Sequence, residues 1–282
     1  VGVIEDSRKV ATNPASGQER PHDSGGASTG SGDVDAGGLL PRLSHMTGRR
    51  VPFRTATLGL DQPILSVTFD DYPQSAFDPG ARILEDHGVR GTFYAASGLF
   101  GLTDSRWTVA GADTVADLHA RGHEIALHGH AHRAANRMRT AAFAADLAAN
   151  RAALRRIVPT LTRENYAFPY GLCGLMQKRH LAGTVRSCRS VQPGVNAGRI
   201  DLHFIKAVEI SVRGLTEANL ERWLDTAEAA RGWLVLFTHD VCDAPSPYGT
   251  TPQVLARVVA RALERRFAVL PVAAALDRAG IA

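Results

Sequence analysis

The sequence predicts an α/β fold, a distorted (β/α) barrel of about seven parallel strands. Short apolar runs of four to eight residues alternate with amphipathic stretches, the rhythm of βα units on a parallel sheet. The chain, 282 residues long, has the size of a single barrel. Its polar residues collect where the apolar runs end, as they do at the carboxyl rim of a barrel. An open doubly wound sheet is the alternative arrangement.

Residues 1–38 are rich in Gly, Ser and Asp and carry no apolar periodicity, so a disordered tail is expected there. The barrel domain is expected over 52–282. Its strands are expected at 64–71, 91–96, 123–127, 165–171, 185–191, 203–210 and 233–240, with a short last one at 267–272. Helices are expected at 75–87, 114–121, 140–158, 176–182, 216–231 and 252–265. Thr251 before Pro252 reads as a capped helix start, and so does Thr216. Gly88, Gly122 and Gly232 stand where helices should stop in a left-handed turn.

Composition narrows the function. Hydrophobic residues make up 44% and charged residues 21%, enough for a sizeable core. The net charge of +4 is spread along the chain with no aromatic–basic interleaving, which argues against nucleic acid as a partner. A preference for anionic glycans is compatible with that charge. Cys173, Cys188 and Cys242 form no CxxC pair, so neither a disulfide framework nor a structural zinc site is expected. No run of about 18 apolar residues marks a membrane span, and no leader pattern is visible. The expected location is the cytoplasm for the chain as given, and the cell envelope if the natural N-terminus is missing. The first residue is Val, and the change in composition near Leu39 makes Met46 a candidate start. Nothing in the sequence fixes an oligomeric state.

Asp70 and Asp71 close the first long strand. Adjacent carboxylates repel when buried together, and a cation at one of them relieves this. His128, His130 and His132 follow the third strand within HGHAH. Histidines four apart share a face of a helical turn, which leaves His130 pointing away. Asp71, His128 and His132 make a three-ligand site with open positions, a catalytic rather than a structural arrangement. Such an ion polarises a carbonyl and acidifies water. Zinc is the default divalent ion; cobalt, nickel, manganese or iron suit the same ligands. Asp70 is the adjacent free carboxylate for a base, and His239 the candidate acid across the rim.

TFDD (68–71), HGHAH (128–132), FPYG (168–171) and LFTHD (236–240) together resemble, in order, the motifs of the polysaccharide deacetylases, carbohydrate esterase family four, with its NodB-homology domain. The resemblance covers about Ile64 to Asp240. It implies Asp70 as general base, Asp71, His128 and His132 as metal ligands, and His239 as the acid for the leaving amine. It also implies an oxyanion and substrate-binding turn at Pro169, Tyr170 and Gly171, with the Tyr170 N–H facing the oxyanion. The implied reaction is hydrolysis of an N-acetyl group on an amino-sugar glycan. A small non-glycan amide as substrate, or a non-catalytic carbohydrate-binding protein of the same fold, are the alternatives.

The chain departs from the family pattern. Gly129 stands where Ser or Thr is common, Ala167 where an orienting arginine is common, and Phe168 where a proline is common. Arg163 or Arg189 could fill the arginine's space. An Asp-Trp motif that tunes the acid histidine is absent, with Asp201 and Glu209 as candidate substitutes. Trp107, Tyr72, Tyr94 and Tyr248 are the aromatics considered for a sugar platform, Tyr94 being expected in the core.

Overall fold

The computed structural model describes residues 38–162, 164–212, 214 and 217–282. Its strands are β1 (Thr55–Leu58), β2 (Ile64–Phe69), β3 (Thr92–Ala95), β4 (Glu124–Leu127), β5 (Tyr166–Ala167), β6 (Cys188–Arg189), β7 (Gly198–Asp201), β8 (Val208–Glu209), β9 (Trp233–Thr238) and β10 (Ala268–Val269). The helices are α1 (Leu39–Gly48), α2 (Arg82–Asp86), α3 (Ala112–Ala120), α4 (Thr140–Ile157), α5 (Leu175–Ala182), α6 (Glu217–Ala229), α7 (Pro252–Glu264) and α8 (Val272–Arg278).

Strands β2 and β9 lie at the centre, and both are buried along their whole length. That is why they read as unbroken apolar runs: a parallel strand covered on both faces has no polar side to alternate with. The parallel order is β6-β5-β4-β3-β2-β9-β8, curled into a barrel. Between its end strands runs the segment Leu202–Ile205. Cys188 N–H donates to Leu202 O, Ile205 N–H to Cys188 O and Ser190 N–H to Ile205 O, at 2.8–2.9 Å. The last strand, β10, pairs with the amino half of β2 at Ile64 and Leu65, while β3 pairs with its carboxyl half at Thr68 and Phe69.

The expected helix starts and stops divide. The Thr251 hydroxyl accepts from Val254 N–H at 3.3 Å, capping α7. Gly88 (φ 72°) and Gly122 (φ 88°) adopt the left-handed turn. At the end of α6 it is Arg231 (φ 42°) that does so, not Gly232. Gly232 is needed for another reason, since a Cβ there would lie 2.5 Å from Val195 Cγ1. The capped start at Thr216 lies outside the described residues.

The helix expected at 75–87 is broken. Asp78 is extended (φ −145°, ψ 117°) because it precedes Pro79, and regular α-helix begins only at Arg82. Four of the expected strands shrink to two residues each, β5, β6, β8 and β10. Four elements had no expectation: α1, α8, and the antiparallel pair β1–β7, which joins Thr55–Leu58 to Gly198–Asp201. Helix α1 occupies the stretch between the expected tail and the expected barrel and packs on α5.

Candidate metal and hydrolytic site

Asp70 and Asp71 follow β2, the His128–His132 loop follows β4, Tyr170 follows β5, Arg189 ends β6 and His239 follows β9. Parallel strands put these ends on one rim, so residues up to 169 positions apart meet there.

Asp71, His128 and His132 are all buried, and one ligand atom from each lies within 4.8 Å of the others. Asp71 Oδ1 is 2.8 Å from His132 Nε2 and 3.4 Å from His128 Nε2. Yet that oxygen receives no aligned hydrogen bond. The His128 ring explains why. Its Nδ1 sits 2.9 Å from Ala167 O, which can only accept, so the proton is on Nδ1 and the Nε2 lone pair faces the carboxylate. Two acceptors turned toward each other in a dry site repel unless a cation stands between them. The donor set therefore fits a divalent ion.

Strained backbone is concentrated at the same place. Asp71 (φ 60°), Tyr72 (φ 60°), His132 (φ 48°) and Tyr170 (φ 58°) are left-handed without being glycine, at about 1–3 kcal/mol each. Helix α4 holds the histidine loop. Its Asp146 accepts from His130 N–H and Ala131 N–H, both at 2.9 Å. One turn later the buried Asn150 accepts from His128 N–H at 3.1 Å and donates to Ala95 O and Ser97 Oγ. A Cβ on Gly129 would meet Asp146 Oδ2 at 2.9 Å, so the missing side chain at 129 and this carboxylate share one space. His130 points out of the ligand set, with Nδ1 2.9 Å from Ser97 Oγ.

Arg189 reaches Asp70, its Nη2 donating to Oδ2. It crosses the barrel interior with its guanidinium 4.8 Å from the Phe237 ring and 5.1 Å from Tyr94, and is only 1% exposed. Of the two replacements considered for the orienting arginine, Arg189 thus occupies the role in space; Arg163 lies outside the described residues. The other oxygen of Asp70, Oδ1, is buried and has no hydrogen-bond partner among the described residues.

His239 Nε2 is 4.0 Å from Asp71 Oδ2. Its Nδ1 faces Tyr248 O at 3.4 Å, so a backbone carbonyl stands where a tuning carboxylate was expected. Asp201, one of the two candidates for that carboxylate, is instead paired with Lys178. Trp107 stacks on the His239 ring at 5.5 Å, and Tyr248 leans on it at 5.8 Å. The aromatic platform contracts accordingly. Tyr72 is a core residue against Phe93 and Phe100 rather than a rim residue, and Tyr94 is fully buried as expected. The Tyr170 ring packs 4.6 Å from His132, and burial pushes its hydroxyl up to about 12.

The sequence reasoning missed Asp146 and Asn150. Asn150 carried a signal: it falls on the apolar stripe of Phe143, Leu147 and Leu154, where a polar side chain needs a partner.

The family model described as polysaccharide deacetylase matches residues 59–182. Over these residues the chain is similar to the polysaccharide deacetylase family. Arg189 and His239 lie beyond the match, so their place in the site rests on the geometry above. No curated protein sequence matches the chain. Among solved structures, a family 4 acetyl xylan esterase from Clostridium thermocellum, in complex with a cobalt ion, is 17% identical (TM-score 0.54, 78% of this chain and 93% of that one). The Xyl-CE4 domain of a multidomain xylanase from the hindgut metagenome of Trinervitermes trinervoides is 15% identical (TM-score 0.53, 78% and 92%). A CE4 family pseudoenzyme from Bacillus anthracis is 14% identical (TM-score 0.54, 78% and 67%). At such identities the likeness is one of fold. Since the fold serves enzymes and pseudoenzymes alike, the argument for activity has to come from residues.

Proposed function

We propose that the chain is a metal-dependent deacetylase that hydrolyses an N-acetyl group on an amino-sugar glycan or oligosaccharide. The observation that carries this reading is the Asp70 carboxylate: one oxygen is tied to Arg189 and the other is unbonded, beside the Asp71–His128–His132 cluster.

A divalent ion on Asp71, His128 and His132, zinc or cobalt for example, would polarise the acyl oxygen and lower the pKa of water. Asp70 Oδ1 accepts the proton of the attacking water, while Arg189 on Oδ2 keeps the carboxylate aimed. The Tyr170 N–H, presented by the left-handed turn, donates to the oxyanion. His239 gives its Nε2 proton to the departing nitrogen. Trp107 and Tyr248 fix the plane of that ring and exclude water from one side of it.

A small amide as substrate is favoured by one observation: with Tyr72 and Tyr94 in the core and Trp107 only 8% exposed, little aromatic surface is left to hold a long sugar chain.

The test is metal content paired with turnover. The purified protein is assayed for bound metals, stripped, reloaded with zinc or cobalt, and incubated with N-acetylated sugar oligomers. About one ion per chain is expected, absent from the Asp71/His128/His132 triple-alanine variant, with acetate released only by the loaded protein. Asp70→Asn should keep the ion and lose at least about a hundredfold in kcat. Bound ion without acetate release would move the substrate to a small amide. Absence of an ion under all loading conditions would end the reading.

A further inference from the structure

Helix α1 turns its apolar side outward. Helical spacing puts Leu39, Leu40, Leu43 and Met46 within about 120° of its circumference. All four are exposed, Leu39 by 72% and Leu40 by 79%. The opposite side, Pro41, Ser44, His45 and Gly48, is held to the barrel by polar contacts. Asn136 Nδ2 donates to Pro41 O at 3.3 Å, Leu175 N–H to Ser44 Oγ at 3.1 Å, and the buried Lys178 Nζ to Gly48 O and Val51 O at 2.8 Å. His45 Nδ1 lies 3.1 Å from Cys173 O. A surface helix ordinarily does the reverse and buries its apolar stripe. These contacts fix the orientation of α1, so the leucines are held in the open.

The exposure is local. Of the ten large apolar side chains exposed among the described residues, six lie within 39–53: the four above, Val51 and Phe53. A seventh, Met176, follows Leu175 at the junction with α5. The charge around them has one sign. No Asp or Glu occurs from residue 36 to residue 60, whereas Arg42, Arg49, Arg50 and Arg54 do. Arg42, Arg49 and Arg50 are exposed. At Met46 the stripe runs into a cleft of about 410 Å³, lined by Met46, Arg49, Arg50, Gln192, Phe204 and Lys206, with no acid among them.

We propose that α1 and this cleft form a docking surface for an anionic lipid bilayer. The leucines and Met46 enter the boundary between headgroups and acyl chains, and the arginines and Lys206 meet lipid phosphates. A second copy of the chain is the poorer occupant, because self-docking would set the arginines of one copy against those of the other. Helix α1 has ten residues, about 15 Å, so it lies on the surface. No helix among the described residues is long and apolar enough to cross a membrane. The docking surface is independent of what the metal site hydrolyses.

The experiment is co-sedimentation of the full chain with vesicles of phosphatidylcholine, alone or with about 30% phosphatidylglycerol. Binding to the anionic vesicles is expected to be about tenfold tighter or more, weakening as salt rises. Leu40→Ser, Leu43→Ser and Met46→Ser combined leave the net charge unchanged and alter only exposed side chains. That variant should keep the melting temperature and lose about tenfold or more of the binding. Arg42→Gln, Arg49→Gln and Arg50→Gln combined should abolish the preference for anionic vesicles. Failure of the unaltered chain to bind anionic vesicles overturns the proposal. So does binding that the serine variant keeps, which is adsorption by net charge, or a preference that the arginine variant keeps. A dimer that the serine variant dissolves, seen by light scattering without vesicle binding, would make a second copy the occupant. Vesicle binding gained only after proteolytic removal of residues 1–37 would make that segment the occupant. Either result also overturns the proposal.

Discussion

Replacing Arg189 with methionine should be the most damaging single change in the barrel interior. The side chain is 1% exposed and its partner Asp70 is 4% exposed, so water cannot take over the stranded carboxylate. Methionine fills much of the arginine stem, which isolates the charge. Breaking a buried ion pair from one side costs about 3–5 kcal/mol. For a domain of this size each kcal/mol lowers Tm by about 2–4 °C, so a fall of roughly 6–20 °C is expected. The cost comes from a stranded charge, so removing that charge should recover part of it. The double variant Arg189→Met/Asp70→Asn should be more stable than the sum of the two single changes by about 1–3 kcal/mol. Urea unfolding of the four proteins gives both numbers. Turnover in Arg189→Met should fall about a hundredfold, through kcat, because Asp70 is no longer aimed. A loss of stability below about 1 kcal/mol, or full additivity in the double variant, would refute the claim that Arg189 neutralises Asp70 in a dry interior.

Three further outcomes follow from other parts of the molecule. Gly129→Ala should cost about 1–3 kcal/mol, since φ is 75° and the new Cβ meets Asp146 Oδ2; Asp146→Ala should instead weaken metal affinity about tenfold or more with all three ligands intact, measured by calorimetric titration. Burial raises the Glu124 carboxyl, although Asn165, Thr92 and Ala273 N–H all donate to it. The folded state therefore holds that proton longer than the unfolded chain, whose value is near 4.5, and stability from this group falls as pH rises from there toward the raised folded value; the difference in urea midpoint between the protein and Glu124→Gln should show that slope, up to about 1.4 kcal/mol per pH unit. Among the thiols, burial pushes Cys173 up to about 12 and Cys188 well above its ordinary value, so a thiol reagent on the native protein should label Cys242 first, read by peptide mass mapping.

How much of this was legible in the sequence depended on burial. Strands β2 and β9 are dry on both faces and announce themselves as ILSVTF and WLVLFT. The runs around β5 and β6 are interrupted by the buried polar residues Asn165, Ser187, Arg189 and Ser190, and there the expected strands overstate the paired length. The pair β1–β7 was missed because TATL and GRID are short and half exposed, with pairing partners about 140 residues away. The Asp-Asp, HGHAH and THD clusters were legible because they stop apolar runs. Arg189 was one of two candidates on the sequence, and only the curl of the sheet distinguishes it. Asp146 looks, letter by letter, like the solvated side of an amphipathic helix, whereas Asn150 stands on its apolar stripe with Phe143, Leu147 and Leu154.

The wedge of β10 beside β2 has a consequence for the order of events on the ribosome. Ile64 and Leu65, which begin the strand carrying both aspartates, bond to Ala268 and Val269, about 200 residues further on. The β2–β9 pairing spans nearly as long a loop, from Ile64 to Trp233. Closing loops of that length is entropically slow, and neither contact can form while the later residues are still inside the exit tunnel. The strand that presents Asp70 and Asp71 is thus among the first synthesised and the last secured. A nascent chain arrested before residue 268 would display β2 with the amino half of one flank bare, an apolar edge for chaperones to hold until translation moves on.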